Sequence, residues 1–170
     1  MHEEVLITIQ ENPDIKEVKH LLVGAFNTLP EQDLERLNGE EDQGFDDWFS
    51  IEEMMNYTYG KLIEARNKED ILVGVAFVGK QNPISWPDGK KAELFIVGVD
   101  LKWRGQGLGR KLVTHAEKIA KQMSCEKLIV NTHVAMESDH AFYQKLGFSP
   151  MGILEKYYGN GNAIFFLKTL

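Results

Sequence analysis

Hydrophobic positions along the chain alternate between two spacings. Val5 to Ile9 is a short β-branched run and predicts a first strand. After Pro13-Asp14, Ile15, Val18, Leu21, Leu22 and Ala25 recur three and four residues apart, which places them on one helical face. A polar, acidic stretch from Glu31 to Asp47 follows. Ser50 with Glu53 then has the form of a capping box for a short helix near Ile51 to Tyr57. Leu62 to Ala65 and Ile71 to Val78 read as hairpin partners across Asn67-Lys68-Glu69-Asp70. Gln81 to Lys90 holds Pro83, Pro87 and Asp88-Gly89 and reads as a loop. Glu93 to Val99 is nearly all apolar, as a central strand buried on both faces would be.

Helical spacing returns at Leu108, Leu112, Ala116, Ile119 and Met123, directly after a glycine-rich turn from Arg104 to Gly109. Leu128 to Val134 predicts another strand, and Ser138 to Leu146 a short helix stopped by Gly147. Asn162 to Leu167 predicts a last strand. Hairpins mixed with strand–helix–strand units predict an α/β (mixed α+β) fold, a mixed sheet flanked by helices. No repeat, low-complexity tract or long linker divides the chain, so residues 1–170 are expected to form a single domain.

Charge narrows the partners. The formal net charge of −7 argues against nucleic acid and anionic membrane surfaces, both of which need a basic face. No apolar run approaches the ~20 residues that span a bilayer. One cysteine, Cys125, allows no internal disulfide, and the acidic start Met1-His2-Glu3-Glu4 lacks the form of a secretion signal. A cytoplasmic protein is expected. No metal-ligand spacing is present.

The chemistry concentrates in Val97-Gly98-Val99-Asp100-Leu101-Lys102-Trp103-Arg104-Gly105-Gln106-Gly107-Leu108-Gly109-Arg110-Lys111. Glycines at alternate positions let backbone approach a ligand, and a helix start offers free N–H groups and a favourable dipole to phosphate. Arg104, Arg110 and Lys111 add positive charge. A Walker loop is absent, and the dinucleotide fingerprint fails because Leu112 stands where its third glycine would fall. The turn reads as a diphosphate cradle, with a merely glycine-rich strand-to-helix turn as the plain alternative.

Arg104-x-x-Gly107-x-Gly109 after an apolar strand resembles the coenzyme A motif of the GNAT superfamily of N-acetyltransferases. Ala141-Phe142-Tyr143-Gln144-Lys145-Leu146-Gly147-Phe148 resembles that superfamily's Phe-Tyr-x-x-x-Gly-Phe segment, one helix and one strand downstream. The resemblance implies a central, mostly antiparallel sheet of about six to seven strands whose two middle strands splay apart. It also implies acetyl-CoA as cosubstrate. The pantetheine arm would run between Glu93–Val99 and Leu128–Val134, held by backbone of Val97 and Val99. The pyrophosphate would rest on N–H groups from Gly105 through Gln106, Gly107, Leu108 and Gly109 to Arg110.

Acyl transfer requires a neutral amine, and deprotonating a lysine-like amine at pH 7 costs about 4–5 kcal/mol. A general base offsets part of that. Glu93 resembles the base glutamate of histone-type members, with a solvated strand-end carboxylate as the plain alternative. His133 is a further candidate base. Tyr143 matches the superfamily's general acid, with an aromatic packed under the sheet as the plain alternative, and Phe142 beside it reads as the packing ring. Tyr157-Tyr158-Gly159-Asn160-Gly161-Asn162-Ala163 resembles the tyrosine-rich hairpin of protein N-terminal acetyltransferases. The chain departs from them at Asn131, where they carry glutamate, and at Met136, where asparagine is usual. The acceptor is therefore expected to be a primary amine, either a small cationic amine or the lysine or N-terminus of a peptide. The resemblance implies an acceptor wall from the region of Glu40 to Phe49, whose carboxylates and aromatics would suit a cation, with a solvated acidic loop as the plain alternative. A homodimer is compatible with the sequence. A catalytically silent acyl-CoA sensor is the competing function.

Overall fold

A computed structural model describes residues 4–26, 60–80, 90–158 and 161–170. Its strands are β1 (Val5–Gln10), β2 (Gly60–Asn67), β3 (Leu72–Lys80), β4 (Lys91–Val99), β5 (Lys127–His133), β6 (Ser149–Tyr158) and β7 (Gly161–Thr169). They form one seven-stranded sheet in the order β1-β2-β3-β4-β5-β7-β6. The β4–β5 pair is parallel and the other neighbouring pairs are antiparallel. The helices are α1 (Ile15–Ala25), α2 (Leu108–Gln122) and α3 (Glu137–Lys145).

Local sequence explains where the helices begin. Asp14 caps α1, its Oδ1 accepting from the N–H groups of Lys16 at 3.0 Å and Glu17 at 3.2 Å. Val18, Leu21 and Leu22 of α1 bury against Leu62, Leu72, Val75, Phe77 and Ile96 on one face of the sheet, with Ala25 also buried. Burying a side chain such as Val18 or Leu22 contributes about 1.5–3 kcal/mol, more than helix propensity varies between ordinary residues. Packing therefore holds this helix. On the other face Leu108, Leu112, Val113, Ala116, Ile119 and Ala120 of α2 cover Ile63, Ala65, Val73, Ala76 and Leu94. With a core on each face, β3 is buried on both sides, which accounts for its unbroken apolar run. Arg66 ties α1 to β2. Its Nε bonds Glu64, a carboxylate only 2% exposed, at 2.9 Å, and its Nη2 lies 2.6 Å from Glu17 of α1.

β4 carries an irregularity that the apolar run did not announce. Val78 pairs with Leu94, but its neighbour Phe77 pairs with Ile96, so Phe95 is an extra residue in a β-bulge. Such a bulge bends its strand and reverses the side-chain alternation beyond it. Before the bulge, Ala92 and Leu94 join the α2 core; after it, Ile96 joins the α1 core. Gly98 then lies directly under α1, where an added Cβ would stand 2.6 Å from Leu22 Cδ2.

Several expected elements run longer than the sequence suggested: β2 covers Gly60–Asn67, β4 starts at Lys91 and β7 covers Gly161–Thr169, while β6 was not expected as a strand beyond the tyrosine-rich hairpin. The expected helix near Ile51, the acidic stretch from Glu31 to Asp47, the wall from Glu40 to Phe49 and all but the last residue of the Gln81–Lys90 loop lie outside the described residues. Among the described residues no helix is long and apolar enough to cross a membrane, and no His, Cys, Asp and Glu residues cluster as metal ligands.

Candidate active site

β4 and β5 pair from Lys91↔Lys127 to Leu94↔Val130 and then part, although β4 runs on to Val99 and β5 to His133. The separation starts at the bulge residue, Phe95, so the bend there opens the seam. Beyond it, the N–H of Asp100 bonds Val73 O on the β3 side. Strand alternation then turns the N–H and C=O groups of Val97 and Val99 towards the opening. Both residues line a cleft of about 470 Å³.

The glycine turn forms one wall of this cleft. A 3-10 turn, Leu101–Trp103, follows β4, capped by Asp100, whose Oδ1 accepts from the Lys102 N–H at 2.9 Å. Gly105 and Gly107 adopt φ values of 74° and 82°, a region costly to residues with a Cβ. An added Cβ at either would meet no protein atom within 4 Å, so both face open space. Gly109 is required for a different reason: its Cβ would meet Phe142 Cζ at 3.2 Å. Helix α2 starts at Leu108 with no side-chain cap. The first intrahelical bond from its start runs from Lys111 N–H to Gly107 O, so Leu108, Gly109 and Arg110 keep N–H groups that the helix itself does not use. Such a helix start favours an anion.

Most of the expected cosubstrate-binding residues meet here. Val97, Val99, Arg104, Gly105, Gly107, Leu108, Gly109 and Arg110 line the cleft. Gln106 and Lys111 are not among its lining residues. The Gln106 amide donates back to Lys102 O at 3.0 Å, and the Lys111 N–H is used by the helix. Arg104 serves the fold as well: its Nε donates to Val99 O at 3.2 Å and its Nη2 to Ala25 O at the end of α1. Ala25 and Phe26 consequently border the same cleft.

Helix α3 forms the facing wall. Tyr143 is 6% exposed and lines the cleft, its ring 5.1 Å from Phe142, 5.7 Å from Phe148 and 6.0 Å from Phe166. Phe142, expected to be the packing ring, also lines the cleft and is the less buried of the two. One turn before Tyr143 lies Asp139, which the sequence reading missed although the i, i+4 spacing puts both on one helical face. Its carboxylate accepts from the Thr132 hydroxyl at 3.3 Å and the Ser138 hydroxyl at 3.4 Å. Burial pushes the Asp139 pKa up, opposed by the Thr132 bond, the Arg104 charge, the Ser138 bond and His140.

Glu93 is placed apart from the cleft-lining residues, on the opposite face of the split sheet. It precedes the bulge, so it points away from Ala92 and Leu94 and their α2 core. The Asn131 amide, on β5, donates to Glu93 Oε1 at 3.3 Å. Tyr157 of β6 joins the same group, with its ring 5.3 Å from Phe165. Partial burial and then the Glu93 carboxylate push the Tyr157 pKa up, while a hydrogen bond from Asn131 pulls it back. His133 ends β5, is 7% exposed, and its Nδ1 accepts the Ala135 N–H at 3.0 Å. That bond employs as a structural acceptor one of the ring nitrogens a base would need.

The split seam thus has a phosphate-ready, tyrosine-bearing face and a carboxylate-bearing face. Residues 17–148 match the model of the acetyltransferase (GNAT) family. The chain belongs to this family. It is 33% identical over 64 residues to N-alpha-acetyltransferase 30 of Schizosaccharomyces pombe, covering 38% of this chain and 43% of that protein. It is 35% identical over 72 residues to the 5-NmdU N-acetyltransferase of Pseudomonas phage PaMx11, covering 42% and 48%. Each match spans less than half of the relative's length. A GNAT family acetyltransferase from Elizabethkingia anophelis, solved with acetyl-CoA bound, superposes with a TM-score of 0.70 at 17% identity, covering 98% of each chain.

Proposed function

We propose that this protein is an acetyl-CoA-dependent N-acetyltransferase that moves an acetyl group directly to a primary amine. One observation carries the reading: β4 and β5 part beside an uncapped helix start, so strand edge and anion site share one cleft. Gly105 and Gly107 leave the space that a ligand's phosphates need. The residues fit coenzyme A: N–H groups of Leu108, Gly109 and Arg110 for pyrophosphate, and the backbone of Val97 and Val99 for an extended amide arm, as in strand addition. Acetyl-CoA supplies an acetyl group activated as a thioester.

The remaining chemistry belongs to the chain. An N–H of the β4 edge near Val99 stabilises negative charge on the thioester carbonyl oxygen. Glu93 accepts the proton that the amine loses. Tyr143 returns a proton to the departing sulfur, whose thiol-like pKa of about 8.5 lies below that of an ordinary phenol, about 10, so the proton is shared rather than lost outright. The matched relatives are named for different acceptors, and in this reading the residues on the Glu93 face choose among them. Glu93 and Tyr157 there suit an amine, either a small cation or a peptide's lysine or N-terminus. Residues 1–170 constitute one acetyltransferase domain in this reading, supported by the single sheet that the described strands share.

Thiol release from acetyl-CoA, measured with polyamines, lysyl peptides and peptides with free N-termini, tests the proposal. At least one amine is expected to raise release well above hydrolysis. Glu93→Gln is expected to lower that rate most at neutral pH and least near the amine's own pKa. Coenzyme A binding without amine-dependent release would leave an acyl-CoA-binding domain instead.

A further inference from the structure

Backbone pairing joins β4 to β5 only as far as Leu94↔Val130. Asn131 is the next residue on β5. Its neighbour Thr132 faces α3 through Asp139, so alternation turns Asn131 to the other face, the face of Glu93. There the Asn131 Nδ2 lies 3.3 Å from Glu93 Oε1. A carboxylate only accepts, so chemistry sets which end of the amide faces it. Tyr157 of β6 responds to both groups: the Glu93 carboxylate helps push its pKa up and the Asn131 amide pulls it back. One amide at the apex of the split therefore holds a carboxylate on β4 beside a tyrosine of β6.

We propose that Asn131 is a positioning residue for amine acetylation, holding Glu93 and Tyr157 as one polar wall against which the acceptor amine is deprotonated. The proposal rests on the reading of Glu93 as base. A glutamate with no fixed partner samples rotamers that point away from the reacting nitrogen, and a donor bonded to one oxygen removes them. A neutral amide suits this task. A lysine or arginine would hold the carboxylate in its charged form and weaken it as a proton acceptor, whereas an amide orients it with a smaller electrostatic effect. Asn131 also ties the β4 carboxylate to β5 at the point where backbone pairing ends.

Steady-state kinetics on Asn131→Ala, Asn131→Asp, Glu93→Gln and the double variant Asn131→Ala/Glu93→Gln test this, with spermidine and a short peptide bearing a free N-terminus as acceptors. Asn131→Ala is expected to lower kcat/KM for the acceptor by roughly tenfold, as residues in contact commonly couple. The KM for acetyl-CoA should stay within about twofold, because the cosubstrate lies on the other face. Asn131→Asp, although isosteric, should be worse than Asn131→Ala at neutral pH, since it sets a carboxylate against Glu93. Asn131→Ala should add less than about twofold to Glu93→Gln. Should Asn131→Ala not fold, Asn131→Ser, too short to reach Glu93, carries the same comparisons. An Asp variant milder than Ala, an additive double variant, or an equal loss of acetyl-CoA affinity would overturn the role of Asn131 while leaving a Glu93→Gln defect intact. No defect in Glu93→Gln would instead sink the base assignment, and this proposal with it.

Discussion

β4 has two neighbours and treats them differently. Against β3 it pairs from Ala92 to Val99, interrupted only by the bulge; against β5 it stops after four pairs. The β3 side is closed further by α1, whose Leu21, Leu22 and Ala25 leave no room above Gly98. On the β5 side, Gly105 and Gly107 face empty space and Val97 and Val99 line the cleft. Buried backbone groups are almost always paired, so an edge withheld from a neighbouring strand marks a place reserved for something else. The closed seam maintains the fold, and in the proposed reading a ligand would complete the sheet at the open one.

Gly107→Glu is the strongest test of the open seam. It puts a carboxylate where a pyrophosphate would rest, and coenzyme A affinity by calorimetry is expected to fall at least ~100-fold, more than 2.7 kcal/mol. Gly107→Ala adds only the strain of a left-handed residue, about 1–2 kcal/mol, and separates strain from charge. Equal affinities for wild type and Gly107→Glu would move the anion site elsewhere. Next in size, Tyr143→Phe is expected to keep coenzyme A affinity and lower kcat by roughly 10²-fold, as removal of a general acid does. A kcat within twofold of wild type, with chemistry rate-limiting, would make Tyr143 a packing residue alone.

On the closed seam the effect should be on stability. Gly98→Val overpacks the contact with Leu22 and should cost about 1–3 kcal/mol. That is a drop in Tm of roughly 2–10 °C for a chain of this size. An unchanged Tm would mean that α1 can lift without penalty. The smallest effect concerns Asp139, whose pKa burial raises in the folded state. A raised carboxyl contributes stability that is present below its unfolded pKa of about 3.9 and is lost as pH rises through the folded value. Asp139→Asn should therefore raise Tm relative to wild type at pH 7 and have little such effect near pH 4. A stability difference that does not change with pH would show that Asp139 keeps its charge at no cost.

Elements set by local chemistry were legible in the chain. Asp14 capping α1, the apolar stripe from Leu108 to Ile119 and the stop at Gly147, with φ 87°, all follow from neighbouring residues. The glycine turn was legible for the same reason, although its three glycines do different work: positive φ at Gly105 and Gly107, clearance for Phe142 at Gly109. Asp139 was within reach of the helical spacing from Tyr143. The contact between Asn131 and Glu93 was not, because thirty-eight positions separate the two residues and only strand register brings them together.

The order of most elements, the two helix faces and the glycine turn were determined by the sequence itself, since each depends on interactions a few residues apart. The bulge at Phe95 has no such local mark. It arises from fitting β4 between β3 and two cores at once, which no periodicity in the strand records. That fit turns Ile96 and Gly98 towards α1 and opens the seam to β5. It also leaves Glu93 on the face opposite Tyr143. Which residues stand together across the split is a matter of register between strands distant in the chain, and only the tertiary structure decides it.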